Sequence, residues 1–138
     1  MGTIELFSDN KQLLIKLTGK ISSYVSEISV IADLDDNLGL YGIEVFLYED
    51  PKIKIKTIMD QFKDENNVDI YDGLFYLYLR EKDSQYKRGG GFGRTGYVGI
   101  DKKGNLCEIR FSWDEPRSGN PHVDTVKALE GITYKKVI

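Results

Sequence analysis

The sequence predicts an α+β protein of mainly antiparallel sheet, with elements in the order ββββα-ββββα-β. It is read as one compact domain over residues 1–138, whose halves 1–66 and 67–138 form either an internal pseudo-repeat or a chance recurrence of a common local pattern. Two observations predict the fold, and a third bears on the repeat. Short segments alternate apolar and polar residues between turn-forming clusters, as half-buried strands do. Two stretches switch to helical spacing just after a proline. The halves also carry matching residues: Leu34-Asp35 answers Ile100-Asp101, Leu40 answers Leu106 and Ile43 answers Ile109. After a one-residue slip, Glu49-Asp50-Pro51 answers Asp114-Glu115-Pro116.

Thr3–Phe7 and Gln12–Thr18 read as a hairpin, and Glu27–Leu34 with Leu40–Tyr48 as a second. In the latter strand Tyr41, Ile43, Val45 and Leu47 alternate, marking a buried face. Asp50 offers an N-cap and Pro51 a first helical position, followed by the stripe Ile55, Ile58, Met59 and Phe62 of a helix ending near Lys63. The second half opens with Val68–Tyr71 and Leu74–Lys82 around the turn Asp72-Gly73. Gly96–Asp101 and Leu106–Trp113 follow, with Cys107, Ile109, Phe111 and Trp113 on one face. Asn120-Pro121 opens a short helix carrying Val123, Val126 and Leu129, which Gly131 stops, and Ile132–Val137 adds a last strand.

Composition narrows the function classes. A net charge of -3 disfavours extended binding along a nucleic-acid backbone, which needs a basic face. The single cysteine rules out an intrachain disulfide and a thiolate metal cluster. No apolar run reaches the roughly 18 residues of a membrane span, and the N-terminus lacks a secretory pattern, so a cytoplasmic location without membrane contact is expected.

The most informative stretch is Lys87-Arg88-Gly89-Gly90-Gly91-Phe92-Gly93-Arg94-Thr95-Gly96. It reads as a long hairpin loop anchored on the aromatic strand containing Phe75, Tyr76 and Tyr78. Glycines permit backbone N–H groups to converge on an anion, and the flanking cations add charge. Lys87, Arg88, Gly91, Phe92, Gly93 and Arg94 are therefore the candidate ligand- or partner-binding residues, with Phe92 placed to stack on a base. Arg117 joins them as an interface arginine beside Trp113. The competing expectation is a mobile connector with solvated charges. Residues 91–98 satisfy both the dinucleotide and kinase glycine patterns, but no helix follows and no H-R-D or D-F-G appears, so both fail.

Other constellations are weaker. Asp33, Asp35, Asn37 and Glu44 have EF-hand spacing, but Leu38 stands where glycine is needed and strands flank the segment; solvated turn carboxylates are expected. His122 is the sole histidine and reads as a first-turn residue. Asp114-Glu115 reads as loop, Cys107 as a buried inert thiol, and Lys52, Lys54, Lys56 and Lys63 as a solvated helix face. No catalytic residue, metal site or cofactor is assigned.

The preferred function is a non-catalytic binding or inhibitor protein that neutralises a protein partner by sequestering it. Toxin-immunity and phage anti-defence proteins, bacterial or phage in origin, have this size and composition. The alternative is a small-molecule binder holding a phosphate-bearing ligand or nucleotide under the Gly-rich run, in a homo-oligomer if the site spans subunits. An enzyme without a recognisable motif ranks third.

Overall fold

The computed structural model describes residues 2–8, 11–113 and 124–137. Its strands are β1 (Thr3–Phe7), β2 (Gln12–Lys16), β3 (Ser23–Asp35), β4 (Leu40–Phe46), β5 (Val68–Tyr71), β6 (Leu74–Tyr78), β7 (Arg88–Ile100), β8 (Leu106–Ser112) and β9 (Tyr134–Val137). Two helices, α1 (Ile55–Phe62) and α2 (Thr125–Ala128), and the single turn Leu47–Glu49 complete it. The strands form one sheet in the order β5-β6-β4-β3-β7-β8-β2-β1-β9. β9 runs parallel to β1, so the sheet is mixed.

This corrects the α+β expectation. Strand accounts for 51% of the structure and helix for 12%, so one curled sheet is the framework and the helices are accessories. The halves are not two ββββα units either. β3 and β7 pair with each other along nearly their whole length, from Ser23 opposite Ile100 to Asp35 opposite Arg88. That central ladder joins the halves. The outer hairpin β5–β6 then pairs with β4, and β1–β2 pairs with β8, so hairpins from the two halves alternate across the sheet.

The matching residues mark a shared hairpin. Ala32 faces Ile43 in one and Val98 faces Ile109 in the other. Both registers shift just before the turn, between Asp33 and Leu34 and between Gly99 and Ile100. The Asp35 carboxylate accepts from the N–H groups of Asn37 (2.9 Å) and Gly39 (2.8 Å). Asp101 accepts from those of Lys103 and Asn105, both at 2.9 Å.

The Gly-rich run is the second correction: it is not a loop but the first part of β7, at the middle of the sheet. Glycine is scarce in strands, which is why it reads as a connector. At Gly89 and Gly96 neighbouring backbone demands it, whereas a Cβ on Gly93 would meet nothing within 4 Å. A Cβ on Gly96 would lie 2.3 Å from the Arg110 carbonyl oxygen.

One face of the sheet carries the core. Ile28, Val30 and Ala32 of β3 pack with Ile43 and Val45, Phe75 and Leu77, Val98, and Ile109 and Phe111 of its neighbours. α1 closes over it with Ile58, and Phe62 meets the Phe75 ring edge-on at 5.1 Å. Met59, expected in the helix stripe, is 45% exposed. The expected helix start at Asp50-Pro51 is a turn, in which Asp50 accepts from the Lys52 N–H (2.8 Å), and the helix begins at Ile55. The second helix is one turn, capped by Asp124. Its expected start at Asn120-Pro121, with Val123, lies outside the described residues.

Candidate functional site: a tyrosine-lined face

The face opposite the core is built by the same alternation. On β6, Phe75 and Leu77 enter the core, which turns Tyr76 and Tyr78 outward. On β4, Gly42 lies between Asp33 of β3 and Tyr78, while Glu44 lies between Ile31 and Tyr76. Gly42 is required by what crosses it. A Cβ there would sit 2.5 Å from the Tyr76 ring and hydroxyl. The bare backbone lets the Tyr76 hydroxyl donate to Asp33 Oδ2 at 3.0 Å.

Four tyrosines of this face, Tyr41, Tyr76, Tyr78 and Tyr86, are tied down. Asp33, 9% exposed, also receives Arg88 Nε at 3.2 Å. Tyr78 donates to Asp69 Oδ2 at 2.6 Å, and Lys82 Nζ lies 3.2 Å from Asp69 Oδ1 and 4.7 Å from the centre of the Tyr78 ring. Tyr86 stacks flat on Tyr41, with centroids 3.8 Å apart and planes within 8°. The Tyr41 hydroxyl accepts from the Asp83 N–H at 3.0 Å. The strap 79–87 between β6 and β7 is thereby fastened onto the face. Tyr41, Tyr71, Tyr76, Tyr78 and Tyr86 bound a depression of about 600 Å³ with Asp69 and Lys82. A neighbouring one of about 510 Å³ is rimmed by Asp35, Asp36, Glu81, Asp83 and Lys87.

Protonation follows from these contacts. Burial first, and then the adjacent carboxylates, push the Tyr76 and Tyr78 hydroxyls far above the ordinary tyrosine range, so both are neutral donors at physiological pH. The bond from Tyr78 holds Asp69 below the usual carboxylate range. Burial, then the nearby Asp33 charge, raises Glu44, and Arg88 opposes the shift. The face thus offers oriented hydroxyls and aromatic rings.

Alternation distributes the Gly-rich candidates over both sides of the sheet. Lys87 is exposed at the second depression, Arg88 pairs with Asp33, and Gly91 and Gly93 are exposed on the outer face. Phe92 and Arg94 are buried on the core side, where the Phe92 ring meets Trp113 edge-on at 5.0 Å. The Arg94 guanidinium lies over Phe92, its carbon 4.6 Å from the ring centre, and Nη1 donates to the Gly93 carbonyl at 2.8 Å. Arg117, His122 and Asp114-Glu115 lie outside the described residues.

The EF-hand-like set is separated by function. Asp35 serves its turn, and Asp33 serves Tyr76 and Arg88. Among the described residues no group of side chains is arranged to hold a metal ion, and no helix is long and apolar enough to cross a membrane. Cys107 is buried, but outside the apolar cluster of Ile109, Phe111 and Trp113. The register shift beside it breaks the expected phase, and its sulfur faces Gly19. Burial, and next Asp101, push the thiol pKa up.

Sequence reasoning grouped Phe75, Tyr76 and Tyr78 but treated them as the anchor of a loop. It placed Tyr41 on the core face with Ile43 and Val45, but the register shift beside it sends Leu40 into the core and Tyr41 against Tyr86. It passed over Asp69, Lys82 and Tyr86. The available signal was the phase of β6, which puts Tyr76 and Tyr78 opposite Phe75 and Leu77. Compared with known proteins, the chain matches no family model, no curated protein and no solved structure.

Proposed function

We propose that this chain is a non-catalytic binding protein that neutralises a partner protein by occupying it, with the tyrosine-lined face as the contact surface. The observation that carries this reading is the set of outward tyrosines held in place by Asp33, Asp69 and the strap. Tyrosine is enriched among residues that dominate binding energy, because it offers a large apolar ring and a polar tip. Rings already immobilised lose less conformational freedom on association. The partner class is a toxin or a defence component acting in the cytoplasm, as small acidic immunity and anti-defence proteins meet. The alternative of a phosphate gripped by the Gly-rich run gains no support from this geometry. Arg94 and Phe92 lie across the sheet from Lys87, and Arg88 is engaged by Asp33.

Affinity capture from the source cells with wild-type protein, followed by mass spectrometry, tests the proposal. One polypeptide should co-purify, and Tyr78→Ala or Tyr86→Ala should weaken its binding by about 2 kcal/mol, typical of a central interface residue. Lys52→Ala, on the surface near α1, should leave binding unchanged. Retention of full affinity by both tyrosine variants contradicts the assignment of the face.

A further inference from the structure

Building on the binding-protein reading above, we infer that the tyrosine depression receives a cationic side chain, guanidinium or ammonium, from a basic partner surface, and that Lys82 is a tethered stand-in for it. Lys82 Nζ already makes the two contacts such a group seeks: the Tyr78 ring at 4.7 Å and the Asp69 carboxylate at 3.2 Å. Its own hold is weak. The Lys82 and Asp69 side chains are 48% and 42% exposed, and pairs this exposed contribute little, so an incoming cation displaces the ammonium into water at small cost.

The surroundings favour the same charge. Asp35, Asp36, Glu81 and Asp83 rim the adjoining depression. Of the nearby arginines, Arg80 is turned inward onto the carbonyls of Leu40, Ala128 and Glu130, and Arg88 is engaged by Asp33. Lys82 and Lys87 are left to face a more numerous set of carboxylates. The tyrosines of the depression present ring faces that attract a cation.

The test titrates a hexa-arginine peptide into the folded protein and follows the tyrosine ring signals by NMR, with a hexaglutamate peptide as control. The Tyr41, Tyr78 and Tyr86 signals should move with hexa-arginine only, and less at high salt. Lys82→Gln should tighten binding about two- to fivefold by vacating the site, and Asp69→Asn should weaken it by a similar factor. Unmoved tyrosine signals, or weaker binding by a normally folded Lys82→Gln variant, overturn the inference. A co-purified partner that needs Tyr78 and Tyr86 but is not competed by hexa-arginine overturns the cation assignment alone. A partner indifferent to both tyrosines overturns the binding face as well.

Discussion

Arg94 occupies the core side of β7 with 8% of its surface exposed, its stem and guanidinium packed over Phe92. Removing it withdraws buried packing and a charge-assisted hydrogen bond together. Arg94→Ala should therefore lower stability by about 2 kcal/mol or more, whereas Lys87→Ala should change it by less than about 0.5 kcal/mol in denaturant titrations. Composition cannot separate these two cations, because only the strand phase tells which one is inside. Glu44 makes a pH prediction. Its carboxyl titrates higher in the folded chain than in the unfolded one, so folding loses stability as pH rises through that range. Glu44→Gln should raise Tm at neutral pH, and the gain should vanish below about pH 4, where the unfolded carboxyl is also protonated. Cys107 should react slowly with a thiol reagent until denaturant is added, since the thiol is buried and its pKa raised.

At the scale of elements, β7 is where glycine has opposite meanings at neighbouring positions. Nothing lies within 4 Å of a Cβ built on Gly93, which is exposed and extended. Gly93→Val should be neutral or stabilising by up to about 1 kcal/mol, because valine suits a pleated strand. Gly96→Val should cost about 3 kcal/mol, as its side chain meets the neighbouring backbone. Thermal melts of the two variants check the difference. Docking of α1 rests on Gln61, whose amide donates to the Leu106 carbonyl (2.8 Å) and accepts from the Leu106 N–H (2.7 Å). Gln61→Ala should cost about 1–3 kcal/mol, because both backbone groups lose their partner. Most strand positions outside the Gly-rich run were legible because alternation reports burial, but the bulges at Tyr41 and Cys107 broke that phase, and β3 starts earlier and β6 ends sooner than the pattern suggests. The Gly-rich strand was not legible, since glycines carry no side chain to alternate and the pairing with β3 is a long-range fact.

For the whole molecule, the two similar hairpins β3–β4 and β7–β8 meet at the centre, and each supplies an edge for the other half's outer hairpin. Local pattern identified those hairpins but had no means of showing that they interleave. The same assembly assigns the faces: it sends Phe92 and Arg94 inward and turns Tyr76 and Tyr78 outward beside Asp33. The central claim is that the Gly-rich run is scaffold and the tyrosine face is the contact surface. Hydrogen exchange of the free protein and of its complex with the co-purified partner tests both parts in one measurement. Amides of residues 91–98 should exchange slowly in the free protein, and the partner should add protection chiefly at residues 69–87. Fast exchange at 91–96 in the free protein, with protection gained there on binding, would contradict the account.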